Sequence, residues 1–116
     1  MTAATPPIVI DDHGDLEVYP TVAMAGAAVE AADVLNGGLE AFDSEGRPLR
    51  FAAYGNRVAL EMPQDSRPDS DQLEGRLRDF IHRVGADRIG IVDVEDAPLS
   101  ALLEAVLRFE RGEDVL

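Results

Sequence analysis

The chain has no cysteine, no tryptophan and no lysine, and its first basic residue is Arg47. Without thiols there is neither a disulfide nor a thiolate zinc site, which leaves His13, His82 and the carboxylates as the residue types that could hold a metal. No stretch approaches the roughly 18 apolar residues of a bilayer-spanning helix. The segment Met1 to Pro7 has neither the basic region nor the apolar run of a secretory leader, so the expected location is the cytoplasm. What is present is enough for a core: 116 residues, 46% hydrophobic and 28% charged, belong with globular chains rather than acidic tails. The expectation is one domain over residues 1–116.

Charge of one sign dominates. There are 23 acids against 10 arginines, a formal charge of −13. Nine of the acids lie before Arg47 with no basic residue among them (Asp11, Asp12, Asp15, Glu17, Glu30, Asp33, Glu40, Asp43 and Glu45), and the other fourteen share the rest of the chain with all ten arginines. Binding to a phosphate backbone or an anionic bilayer relies on Lys and Arg, so neither nucleic acid nor a membrane surface is an expected partner. A basic protein is. The use of arginine alone reads as a high-GC coding bias and points to a bacterial source.

The chain divides into a strand-rich part with one helix over 1–62, a joint over 63–71 and a mainly helical part over 72–116. Ile8 to Ile10 run into Asp11-Asp12-His13-Gly14-Asp15, after which Leu16 and Val18 alternate with Glu17 and Tyr19, predicting two short strands or one bent one. Val22, Ala25, Val29 and Ala32 recur at helical spacing from Thr21, a capping residue, to the stop at Gly37-Gly38, predicting one helix. Its Ala25-Gly26-Ala27-Ala28 run has almost no side chain, so it can lie close against a sheet. Leu39 to Phe42, a four-residue loop Asp43-Ser44-Glu45-Gly46, a strand around Leu49, Phe51 and Ala53, a Gly55-Asn56 turn and a strand around Val58, Leu60 and Met62 form a meander.

Beyond the joint, Leu73, Leu77, Phe80, Ile81 and Val84 mark an amphipathic helix capped by Asp69 or Ser70 and stopped by Gly85. Glu74 with Arg78 and Asp79 with Arg83 stand at i, i+4. The apolar residues of Arg88 to Asp96 favour a short strand. Pro98 then opens a last helix through Leu99, Leu102, Leu103, Val106 and Leu107. The expected fold is α+β: a mostly antiparallel sheet of four to five strands, one helix inserted among them, and two C-terminal helices on one face. Those two helices are expected to bury against Phe51, Val58, Leu60 and Met62.

Catalytic motifs are not evident. Asp11-Asp12-His13-Gly14-Asp15 is the one place where His meets several carboxylates, and it could ligate a divalent metal or supply a general base. The same residues are those a tight turn prefers, and Leu16 stands where an EF-hand loop needs glycine. The serines lack a Gly-x-Ser-x-Gly context, and Gly37-Gly38 lacks the lysine and spacing of a phosphate loop. His82 lies off the apolar face of its helix. Asp93, Glu95 and Asp96 suit the N-terminal end of the last helix. No catalytic residue, metal ligand or cofactor is assigned.

The segment Tyr19-Pro20-Thr21-Val22, together with Asp33 to Leu49 and its acidic Phe-Asp-x-x-Gly-Arg-x-Leu hairpin, resembles short acidic bacterial proteins. Some of these are of the immunity type that accompanies polymorphic toxins. The resemblance covers about a quarter of the chain and implies a toxin-neutralising role without catalysis. The expectation from composition and resemblance together is a non-catalytic acidic module docking a basic protein, such as a toxin, through Asp11, Asp12, Asp15, Glu40, Asp43 and Glu45, brought together at hairpin turns. The alternative is a small enzyme, or a ligand- or metal-binding domain, built on the Asp11–Asp15 cluster.

Overall fold

The structure is a computed structural model, and it describes residues 4–112. The described residues form an α+β fold with strands β1 (Ile8–Asp12), β2 (Asp15–Tyr19), β3 (Leu39–Phe42), β4 (Pro48–Tyr54) and β5 (Arg57–Glu61). Helices α1 (Val22–Ala28) and α2 (Ala31–Asn36) lie between β2 and β3, and α3 (Ser70–Val84), the short α4 (Ala86–Ile89) and α5 (Leu99–Glu110) follow the last strand. The sheet order is β2-β1-β3-β4-β5, antiparallel throughout.

Helices cover both faces of the sheet, and β1 shows why. Its Ile8, Val9 and Ile10 are all buried, without the polar-apolar alternation of a one-sided strand. Val9 joins Leu16, Val18 and Phe42 beneath Leu73, Leu77, Phe80 and Ile81 of α3 and Leu102, Leu103 and Val106 of α5. Ile8 and Ile10 face the other way, with Ala41, Leu49 and Ala25 of α1, and Phe51, Leu60 and Met62 pack on that second cluster. This corrects the expected packing: the C-terminal helices lie over β2-β1-β3, and α1 takes the apolar face of the β4–β5 ribbon. The opposite face of that ribbon is polar, with Arg50 and Tyr54 both bonded to Glu61.

The small side chains of α1 set this arrangement. Thr21 caps the helix by accepting from the Met24 N–H, and a Cβ on Gly26 would fall 2.9 Å from the Val58 carbonyl oxygen. The predicted single helix is two, because Val29 and Glu30 take extended backbone angles between α1 and α2. Gly37 ends α2 at φ +76°.

Residues 63–71 are bound to the β3–β4 turn: Ser66 Oγ donates to the Pro48 carbonyl at 2.7 Å, and the Asp69 N–H to that of Gly46 at 3.2 Å. Asp69 also caps α3 by accepting from Gln72 N–H, and Gly85 ends the helix. The strand expected in Arg88–Asp96 is absent: α4 ends on Gly90 in the left-handed region, and an irregular segment follows. Ile89 and Val94 are buried there while Val92 is fully exposed. Arg78 secures that segment through Nε to the Val94 carbonyl at 3.1 Å and Nη2 to that of Ala97 at 3.0 Å.

Candidate functional site

The Asp11–Asp15 stretch folds as the turn that its residue types favour. His13 and Gly14 both take positive φ, +55° and +94°, and Asp12 faces Asp15 across them, a two-residue hairpin of the primed kind that suits the twist of the strands. Asp11, buried, accepts the Gly14 N–H through Oδ1 at 2.6 Å. His13 Nδ1 lies 2.7 Å from Asp12 Oδ1, and its ring packs over Gly38 so closely that a Cβ there would fall 2.7 Å from it. Arg83, on α3, donates to the Gly14 carbonyl rather than pairing with Asp79. Among the described residues no group of three or more His, Asp or Glu is arranged to hold a metal ion.

The second oxygen of Asp11 meets Arg76 Nη1 at 2.5 Å, and the same guanidinium grips Glu40 through two hydrogen bonds of 3.0 and 3.1 Å. Pairing of Asp11 with Glu40 in the β1–β3 register puts the two carboxylates side by side for it. The Arg76 guanidinium also stacks 4.7 Å from the centre of the Phe42 ring. Burial works against its charge, but the hydrogen bonds it donates to Glu40 and Asp11 outweigh that and hold its pKa above the ordinary value. Sequence reasoning missed this hub. Its signal was position: residue 76 falls inside the 73, 77, 80 stripe that α3 turns to the sheet.

The other hairpin contains a second committed carboxylate. Asp43 is fully buried, accepting Glu45 and Arg47 N–H groups on Oδ1 at 3.0 and 2.9 Å and the Thr5 N–H on Oδ2 at 3.1 Å. It holds the loop closed and cannot meet a partner, which corrects its expected role. Glu45 remains exposed; hydrogen bonds from Arg47 and Thr5 lower its pKa. The six expected contact acids also do not gather. Asp12 pairs with Leu39 and Val9 with Phe42, so the β1–β2 turn and the Asp43–Gly46 loop lie at opposite ends of the β1–β3 ladder. Asp11, Asp12, Asp15 and Glu40 lie at one end, and Asp43 and Glu45 at the other.

Two features lie away from these turns. Along the β2 edge, Glu110 of α5 accepts the Val18 N–H at 2.8 Å. Partial burial against β2 pushes its carboxyl up to about 7, opposed by that hydrogen bond and assisted by Glu17 and Asp15. The other is a groove of about 790 Å³ between α5, the Pro6-Pro7 segment and Pro68, with Leu99, Leu103 and Leu107 along its α5 side. No helix among the described residues is long and apolar enough to cross a membrane. Comparison of the chain with protein-family models, with characterised proteins and with solved structures finds no match.

Proposed function

We propose that this chain is a non-catalytic acidic module that binds a basic protein, of the kind an immunity protein presents to its toxin. The observation that carries this reading is the way its arginines are used. Arg47, Arg50, Arg76, Arg78 and Arg108 are all engaged in ion pairs within the fold, and Arg83 is engaged by a backbone carbonyl. Exposed acids such as Asp15, Glu30, Asp33, Asp71, Asp79 and Asp87 form no ion pair among the described residues. Arg57, Arg67 and Arg88 are exposed cations without an ion pair among the described residues, but the acids outnumber them and the surface is net anionic, which speeds encounter with a basic partner and repels acidic ones.

The alternative, an enzyme or a ligand- or metal-binding domain built on the Asp11–Asp15 cluster, has less support, because the buried Asp11 carboxylate already accepts from Gly14 and Arg76. The direct test is to express the products of the genes flanking this one on its chromosome and titrate each into the purified chain by calorimetry. Complex formation with a basic product at physiological salt, with loss of that product's activity, supports the proposal. Binding confined to acidic products, or none at all, contradicts it.

A further inference from the structure

We propose that the groove between α5, Pro6-Pro7 and Pro68 is the seat for a short cationic amphipathic segment of the protein partner. This inference rests on the reading that the partner is basic, and adds where on the chain it docks and what it inserts.

Three observations carry it. Leu99, Leu103 and Leu107 stand at i, i+4 and i+8, one row along α5 about 12 Å long at 1.5 Å per residue. Leu103 is buried as the floor of the groove, and Leu99 and Leu107 are half-buried beside it. The facing wall carries the rings of Pro6, Pro7 and Pro68, which have no backbone N–H, with Ser44 and Ser70 beside them. Such a groove selects apolar side chains laid along it rather than a polar ligand.

Charge selects the rest of the occupant. Glu45 and Glu104 line the groove, and no arginine does. Arg47 Nη1 and Thr5 Oγ1 both use Glu45 Oε2, at 2.5 and 3.1 Å, so its Oε1 faces neither. Glu104 is exposed, and its one ion pair among the described residues, with Arg108, is loose at 3.6 Å. A fatty acid would bring a carboxylate against these two. A second copy of the chain would bring −13 against −13. A segment with leucine-like residues on one side and Arg or Lys flanking them satisfies both the row and the rim.

The test titrates the ¹⁵N-labelled chain at physiological salt with a synthetic peptide of repeating Leu-Arg-Arg-Leu units, a matched peptide with every Leu replaced by Ser, and a third with every Arg replaced by Glu. The Leu/Arg peptide is expected to shift the amides of Ser100, Leu103, Glu104 and Leu107 and to bind at least about tenfold more tightly than the Ser/Arg peptide. The Leu/Glu peptide should not bind. Glu104→Arg, a surface change, should weaken the Leu/Arg peptide by about threefold or more, and Leu107→Ser by about tenfold. Should Leu107→Ser fail to fold, Glu104→Arg and the peptide series decide alone.

Equal binding of the Leu/Arg and Ser/Arg peptides, with shifts outside the groove, overturns the groove while leaving the basic-partner reading standing. Silence towards every peptide overturns the groove and counts against that reading as well. Groove shifts that follow the chain's own concentration without peptide assign the surface to a second copy and overturn the proposal.

Discussion

Arg76 reaches from α3 to Asp11, 65 residues earlier in the chain, and closes on it at 2.5 Å while holding Glu40 with the same guanidinium. One side chain therefore fixes the α3 layer to the β1–β3 ladder and neutralises a buried carboxylate. Arg76→Ala leaves Asp11 buried without its cation and should lower stability by about 3 kcal/mol. Arg76→Lys should recover only part of that, because an ammonium cannot reproduce the forked contact. Urea unfolding midpoints measure both; a loss under about 1 kcal/mol for the alanine variant would make the pair a surface contact.

The contact of Gly26 with Val58 makes a prediction of opposite sign to helix propensity. In a helix open to water, Gly→Ala stabilises by about 1 kcal/mol. Here the new Cβ would sit 2.9 Å from the Val58 oxygen and push α1 off the β5 edge. Gly26→Ala should therefore destabilise, by about 1–2 kcal/mol net. A raised melting temperature would show that α1 does not lie on β5.

Asp43 and Asp15 separate structural from surface acids. Asp43→Ala strips acceptors from the N–H groups of Thr5, Glu45 and Arg47 and should lower stability by about 2–3 kcal/mol. Asp15→Arg, on an exposed turn position, should change it by no more than about 0.5 kcal/mol. Thermal melts of the two variants side by side check the contrast.

Glu110 gives the pH dependence. Its carboxyl titrates near 7 in the fold, above the ordinary value of 4.5. The folded state thus holds this proton more tightly than the unfolded chain, and the group's contribution is fully present below pH 4.5 and is lost as pH rises through 7. Glu110→Gln keeps an acceptor for the Val18 N–H without the charge that Glu17 and Asp15 oppose. It should raise stability at pH 8 by about 1 kcal/mol, an amount kept small by the exposure of the side chain, and change it little at pH 4.5. An equal effect at both pH values would remove titration as the cause.

The legible parts of the fold were those decided by neighbours in the chain. The stripe from Leu73 to Ile81, a cap at Thr21, a cap at Asp69 or Ser70, a turn within Asp11–Asp15 and a Gly55-Asn56 turn depend on spacing and local chemistry, and the structure has each of them, with Asp69 as the cap and His13-Gly14 as the turn between two strands. Which layer covers which face is a long-range matter. Phe51, Leu60 and Met62 do share a face, but periodicity cannot say that α1 rather than α3 lies on it. The uninterrupted Ile8-Val9-Ile10 run was the one local sign of a strand covered on both sides. The acidic site was least legible, since a carboxylate on a turn looks the same in sequence whether it faces solvent, as Asp15 does, or is consumed by the backbone, as Asp43 is.

Association kinetics test the central claim most directly. The chain would be mixed with the flanking-gene product that binds it, and the association rate followed from low to physiological salt, for wild type and for Asp12→Arg/Asp15→Arg. An acidic module steering towards a basic partner predicts a wild-type rate that falls about tenfold or more across that range, and a slower, flatter profile for the variant at unchanged melting temperature. A rate indifferent to salt and to both reversals would contradict the account.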